Sequence, residues 1–222
     1  MPALVDAGVG HPSHLSAIQE TLGETALATV LVTHGHPDHV AGLPALVERW
    51  PSSRVIRFPD FVDGLVPAGD RHVHVMSTPG HSPDHLCFFD EKGGDLYCGD
   101  LVRAGGTIVI PASQGGNLRQ YLESLRSVRD LRPRRLLPGH GPIIDDPPAL
   151  IATYLRHRDE RERQVVEALR AGAKTPDEIA GRIYDSLAPA LLAAAADSVL
   201  AHLVKLEEER RATIDDGAWR LL

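Results

Sequence analysis

Short runs of β-branched and aliphatic residues alternate with amphipathic stretches through the first two thirds of the chain. Ala3-Leu4-Val5 reads as a strand ending at Asp6-Ala7-Gly8, and residues 12–22 read as a helix with Leu15, Ile18 and Leu22 on one face. Thr29-Val30-Leu31-Val32 has the composition of a buried strand, because branched side chains pack well on a pleated surface. A helix through Val40, Leu43, Leu46 and Val47 is expected to stop before Pro51, followed by a strand over residues 54–58 and a loop over 60–71. His72-Val73-His74-Val75-Met76 alternates with period two, which predicts a half-buried strand with His72 and His74 on the wet side. Residues 86–89 and 96–98 flank Glu91-Lys92-Gly93-Gly94 as a hairpin would. Residues 101–116 form a long connection with a strand-like centre at 107–110. A helix over 118–131 and a short strand before Pro138 close this part.

From residue 148 the period changes to helical throughout. Leu150, Tyr154, Leu155, Val165, Val166 and Leu169 mark a helix over 148–170, whose charged middle, residues 156–163, reads as a solvated face. Thr175-Pro176-Asp177-Glu178 is a capping box opening another helix. A third helix is expected over 189–208, and Asp215-Asp216-Gly217 between two apolar runs is a hairpin signal. Helices closed by a terminal hairpin resemble a winged helix. The division expected is therefore residues 1–147 and 148–222. His157 and His202 fall on the helices and read as packing residues.

With 222 residues the chain is long enough for a substantial core. It has no apolar run long enough to cross a membrane, and no basic-then-apolar start of the signal-peptide kind. Cys87 and Cys98 lie inside strand-like runs and read as free buried thiols, which fits a reducing cytoplasm. A net charge of −7 argues against tight nonspecific nucleic-acid binding. Neither part is a basic module, and the terminal module is expected to pack on the first domain or on a second copy rather than on DNA.

The chemistry is concentrated at strand ends. Thr33-His34-Gly35-His36-Pro37-Asp38-His39 follows the buried strand and presents four ligand-type residues as H-x-H-x-D-H. Extended backbone sends His34 and His36 to one side, where both can reach one cation. Asp38 and His39, at the opening of the next helix, are offset enough to serve a second. Imidazole and carboxylate suit zinc and, less selectively, iron or manganese. Thr78-Pro79-Gly80-His81-Ser82-Pro83-Asp84-His85 is a second dense turn at a strand end, and His81, gripped between prolines, reads as the third ligand of the first cation. Asp84 and His85 read as structural or outer-sphere partners. Asp100, after Gly99 at the hairpin's end, reads as a bridge between two cations, and His140 in Pro138-Gly139-His140-Gly141-Pro142 as a ligand of the second.

In this order, the cluster at 34–39 with His81, Asp100 and His140, preceded by Asp6, resembles the motif set of the metallo-β-lactamase superfamily over roughly residues 3–145. The resemblance implies an αββα sandwich of the α/β (α+β) class with two metals at one edge. It implies that His34, His36 and His81 hold one zinc, that Asp38, His39 and His140 hold the other, and that Asp100 bridges them with Asp6 behind. The turn at 78–85 and the helical tail are further similar to the subgroup of β-lactamase-like protein 2, a zinc-dependent endoribonuclease acting on single-stranded RNA. Members of the superfamily ordinarily have two or three more strands ahead of Ala3-Leu4-Val5. The sandwich is therefore expected to lack its first strands, with the edge covered by the tail or by a second subunit.

These readings converge on a dinuclear zinc hydrolase. Its nucleophile is a hydroxide shared by the metals, and Asp38 steers that hydroxide and relays its proton. The expected substrate is a small ester, thioester, lactone or lactam, held between residues 60–71 and 101–117. The alternative is single-stranded RNA, for which Arg103 and Arg119 are the basic candidates. A homodimer is among the expected assemblies.

Overall fold

The computed structural model describes residues 1–184, 188 and 191–222. Its first sheet is parallel and follows from two βα units. β1 (Ala3–Val5), β2 (Thr29–Leu31) and β3 (Arg54–Ile56) pair in that order, with Val30 between Leu4 and Val55. Crossovers of this kind need a helix on one face. That face carries α1 (Pro12–Leu22), α2 (Pro37–Val40) and α3 (Leu43–Arg49). The second sheet has the order β4 (Asp63–Ala68), β5 (Arg71–Ser77), β6 (Leu86–Asp90), β7 (Asp95–Gly99), β8 (Arg135–Pro138). Its pairs are antiparallel except β7 with β8, which run parallel.

Period-two alternation sorts the side chains into three layers. Leu31, Ile56, Val66, Val73, Val75, Leu86 and Phe88 point between the sheets and form one core. Val30 and Val32 point the other way, into a core with Ile18, Leu46 and Trp50. Cys87, Leu96 and Cys98 face outward from the second sheet onto α4 (Leu118–Leu131) and the start of α5 (Pro147–Arg170), through Tyr121, Leu125, Ile151 and Tyr154. The layers are therefore α, β, β, α. Both cysteines are free and buried.

A fourth core lies in the tail. Val165 and Leu169 of α5 meet α6 (Pro176–Ile183), α7 (Leu192–Glu208) and the hairpin β9 (Ala212–Asp215) with β10 (Ala218–Leu221). The capping box at Thr175 forms as expected: its hydroxyl accepts from Glu178 N while the Glu178 carboxylate accepts from Thr175 N. The expected start of the third helix at Pro189 lies outside the described residues.

The structure corrects four local readings. Residues 63–68 are an edge strand rather than loop, because Val66 supplies the inward side chain the alternation lacked. Residues 107–110 form no strand. The expected single helix over 40–47 is two, broken at Ala41-Gly42. There the chain packs on the turn after β1, so closely that a β-carbon on Gly42 would lie 2.2 Å from the Ala7 carbonyl oxygen. The charged run 156–163 is only partly solvated: Arg158 is buried.

Candidate metal centre

One arrangement brings the ligand-type residues together. β1, β2 and β3 run parallel; β5 and β7 both run opposite to β6, and β8 runs with β7, so each set ends at one edge. Asp6 follows β1, residues 33–39 follow β2, residues 78–85 follow β5, Asp100 follows β7 and His140 follows β8.

The gathered side chains form two lobes. In the first, His34 Nε2 lies 3.0 Å and His81 Nε2 3.1 Å from His36 Nδ1. The outer nitrogens of two rings are committed: His81 Nδ1 donates to the Val109 carbonyl at 2.8 Å, and His34 Nδ1 lies 3.0 Å from Thr33 Oγ1. Lone pairs at Nε2 of both rings therefore face His36, and one proton there cannot satisfy all three atoms. A tetrahedral zinc about 2.1 Å from each of two nitrogens separates them by about 3.4 Å, close to the spacing seen. In the second lobe, His140 Nε2 lies 3.0 Å from Asp38 Oδ2, and His39 Nε2 lies 3.5 Å from it. Asp100 stands between: Oδ2 is 3.7 Å from His81 Nε2, and Oδ1 is 3.6 Å from both His39 Nε2 and His140 Nε2. His39 Nε2 and Asp100 Oδ1 are buried without a hydrogen-bond partner, a gap that either a proton on His39 or a cation between them would offset. The groups His34/His36/His81, His34/His39/Asp100 and Asp38/His39/His140 each converge tightly enough to hold a cation, so the residues present fit a pair of metal ions.

Electrostatics separates the lobes. Burial, then the neighbouring imidazoles, pushes His34 far below the ordinary histidine range, and burial also lowers His81. These rings are neutral and offer lone pairs at neutral pH. His39 differs. Burial lowers its basicity, but the Asp100 and Asp6 carboxylates outweigh this and hold it at about 10. Occupation of that lobe must therefore release a proton.

A ring of partners holds the donors. Asp6, at φ 60°, accepts from Thr33 N at 2.7 Å and Thr33 Oγ1 at 2.8 Å, and from His39 Nδ1 at 2.7 Å. His85, pushed down to about 3 by burial, accepts from Asp100 N at 3.1 Å through Nε2 and meets Thr78 Oγ1 at 2.9 Å through Nδ1. Asp84 accepts from Ser82 Oγ and stays outside both lobes. A β-carbon on Gly139 would lie 2.8 Å from Asp100 Oδ1, so glycine is what lets this loop close over the carboxylate.

Other expectations fall elsewhere. The space beside the second lobe is a cavity of about 360 Å³ lined by Leu4, Val5, Tyr97, Leu137, Asp38 and His140, not by residues 60–71 and 101–117. Arg119 is held by Glu208 at 2.7 Å and Glu123 at 3.3 Å. His72 is exposed and His74 pairs with Asp63, both away from the centre. The sequence reading missed Thr33, Thr78 and the Val109 carbonyl, because hydroxyls and peptide groups carry no ligand signature. It also missed Arg158. That position interrupts the apolar stripe Ile151, Tyr154, Val165, Leu169 at helical spacing, which was the available signal.

A family model described as metallo-beta-lactamase superfamily matches residues 2–57 and 51–140, and one described as beta-lactamase associated winged helix domain matches residues 175–219. The lactamase-like protein aptB of Emericella nidulans is 34% identical over 97% of this chain and 75% of its own length. The beta-lactamase-like protein 2 homolog of Drosophila melanogaster is 29% identical over 97% and 81%. The crystal structure of a beta-lactamase domain protein from Burkholderia ambifaria superposes with a TM-score of 0.81, at 23% identity over 99% of this chain and 82% of that one. A second crystal structure, of a protein in a di-iron-bound form, reaches a TM-score of 0.58 at 26% identity over 68% and 86%.

Proposed function

The chain belongs to the metallo-β-lactamase superfamily and carries its associated winged helix domain, and on that premise we propose that this metal-dependent hydrolase uses two zinc ions to cleave a small ester, thioester, lactone or lactam. The observation that carries the proposal is the shared carboxylate. Asp100 turns one oxygen toward each lobe, and its Oδ1 and His39 Nε2 are buried with no other partner. His34, His36 and His81 would hold one ion and Asp38, His39 and His140 the other, with Asp100 between them. When bound, the ions would polarise the substrate carbonyl and lower the pKa of a water to about 7, so that a nucleophile exists at neutral pH. Iron or manganese suits the same donors, and one structural neighbour is a di-iron form.

The chain's own residues do the rest. Asp38 is half exposed at the edge of the cavity. Its carboxylate would take the proton from the attacking water and hand it to the departing alcohol, thiol or amine. Asp6 fixes the tautomer of His39 by accepting from Nδ1, and His85 holds the backbone of Asp100. The cavity's size and its lining by Leu4, Val5, Tyr97 and Leu137 suit a small acyl group. Single-stranded RNA suits the described surface less well. Tyr121, Tyr154 and Phe88 are buried, which leaves Phe58 as the exposed ring among the described residues, and Arg119 is already ion-paired while Arg103 is exposed.

Zinc-loaded protein should hydrolyse at least one member of a thioester, ester, lactone and lactam panel, lose that activity in chelator and regain it with zinc. Chelator-sensitive cleavage of labelled single-stranded RNA with an inert panel would overturn the substrate class. Metal analysis finding fewer than two ions in active protein would overturn the dinuclear centre.

A further inference from the structure

Residues 102–109 bring a carbonyl to the metal centre with little structure of their own. Among the described residues they make no backbone–backbone hydrogen bond and belong to no helix or strand. Three side chains grip them instead. The Tyr154 hydroxyl accepts from Arg103 N and donates to Arg103 O, both at 3.0 Å. His81 Nδ1 donates to the Val109 carbonyl at 2.8 Å, and the Arg158 guanidinium donates through Nη2 to the Ile108 carbonyl. Ile108 and Ile110 are buried and fix the depth of the segment. Apolar contact is non-directional, however, and leaves the aim of the carbonyls to the hydrogen bonds.

Arg158 is an unusual residue for that place. It is 3% exposed, it sits at the middle of α5 between the two cores that the helix joins, and no ion pair among the described residues includes it. A buried charge without a carboxylate partner is costly. Its Nη2 meets the Ile108 carbonyl while its Nε is buried without a hydrogen-bond partner; the Tyr121 ring centroid lies 5.4 Å from the guanidinium carbon, and buried His202 is also within reach of its charge. Tyr121 is fully buried and tied to the Leu101 carbonyl at 2.7 Å, so the platform under the guanidinium is rigid.

We propose that Arg158 is a positioning residue for the first lobe. By holding the Ile108 carbonyl it fixes the following peptide, so that the Val109 carbonyl meets His81 Nδ1–H and turns His81 Nε2 toward His36 and Asp100. The helix that enters the winged helix module thereby sets the third imidazole of the centre. The inference rests on the dinuclear reading above.

Stepwise cobalt(II) titration, followed by its visible spectrum, tests it on the full chain. Arg158→Met keeps the buried stem and removes the donor. It should weaken cobalt binding at the first lobe about tenfold and change that spectrum, with the second lobe's affinity within twofold of the parent. Arg158→Lys, which keeps charge and bulk but not the planar fork, should shift the same lobe in the same direction. This variant decides the matter if Arg158→Met does not fold. Glu162→Gln breaks the pairs to Lys205 and Arg211 elsewhere in the tail, and should lower stability without moving either affinity. Parent-like cobalt affinity and spectrum in the folded arginine variants overturns the inference alone, as does equal weakening at both lobes. An unsubstituted chain that takes up no cobalt overturns the metal reading along with it.

Discussion

The two lobes of the centre, three imidazoles in one and two imidazoles with a carboxylate in the other, sit in opposite environments. In the first, His34 is 1% and His81 7% exposed and His36 is half-buried; burial keeps His34 and His81 neutral, and they are anchored through Thr33 and Val109. In the second only His39 is buried, while the Asp38 and His140 side chains are 48% and 46% exposed and border the cavity. The difference teaches a division of labour. A lobe whose donors are held by second partners is ready for a cation, whereas an open one keeps room for substrate beside its ion. The first lobe should therefore bind metal more tightly and the second should govern turnover.

The residue the lobes share gives the largest effect. Asp100→Asn should weaken both sites and lower turnover by at least about a hundredfold; two tightly bound ions per chain in that variant would refute the bridging role. Separating the lobes comes next. His81→Ala should leave the chain with at most one ion in metal analysis, and His140→Ala should keep the first ion while binding the second about 10- to 100-fold more weakly. If the affinities fall the other way round, the proposed ranking of the lobes is wrong. Asp6→Asn removes an anionic acceptor from His39 Nδ1 and should cost the second lobe about tenfold in affinity, with a smaller loss at the first through the Thr33 hydroxyl that Asp6 also holds. The smallest effect concerns the buried side of the sheet behind the first lobe. Burial pushes the Cys87 thiol up to about 12, so the folded chain should not react there with a thiol reagent at pH 8, whereas the unfolded chain should react at once. Rapid labelling of the folded protein would show that this side opens.

Much of this was legible in the chain. Two-residue periodicity marked β5, apolar runs around a Gly-Gly turn marked β6 and β7, and the 3.6-residue period marked α1, α4 and α5 to within a residue or so. What misled the reading was local composition that tertiary contacts override. Pro67 and two glycines disguised β4, which survives because it is an edge strand paired only with β5. Branched residues at 107–110 suggested a strand, but among the described residues no strand pairs with it, and Arg158 of α5 and His81 bind its carbonyls instead. The charged run in α5 looked wet because a single sequence window shows charge but not the position of a carbonyl and an aromatic ring that can accommodate it.

By itself the sequence determined which residue types could bind metal and that they sit at the ends of strands, since ligand chemistry and backbone period are properties of short segments. Only the tertiary structure decided that β5, β7 and β8 end at the same edge as β1 and β2, and that Asp100 therefore stands between the two lobes. It alone placed Arg158 against a loop fifty positions earlier in the chain. Convergence depends on sheet order and on how layers stack, and those are set by the burial of the whole core rather than by any one stretch.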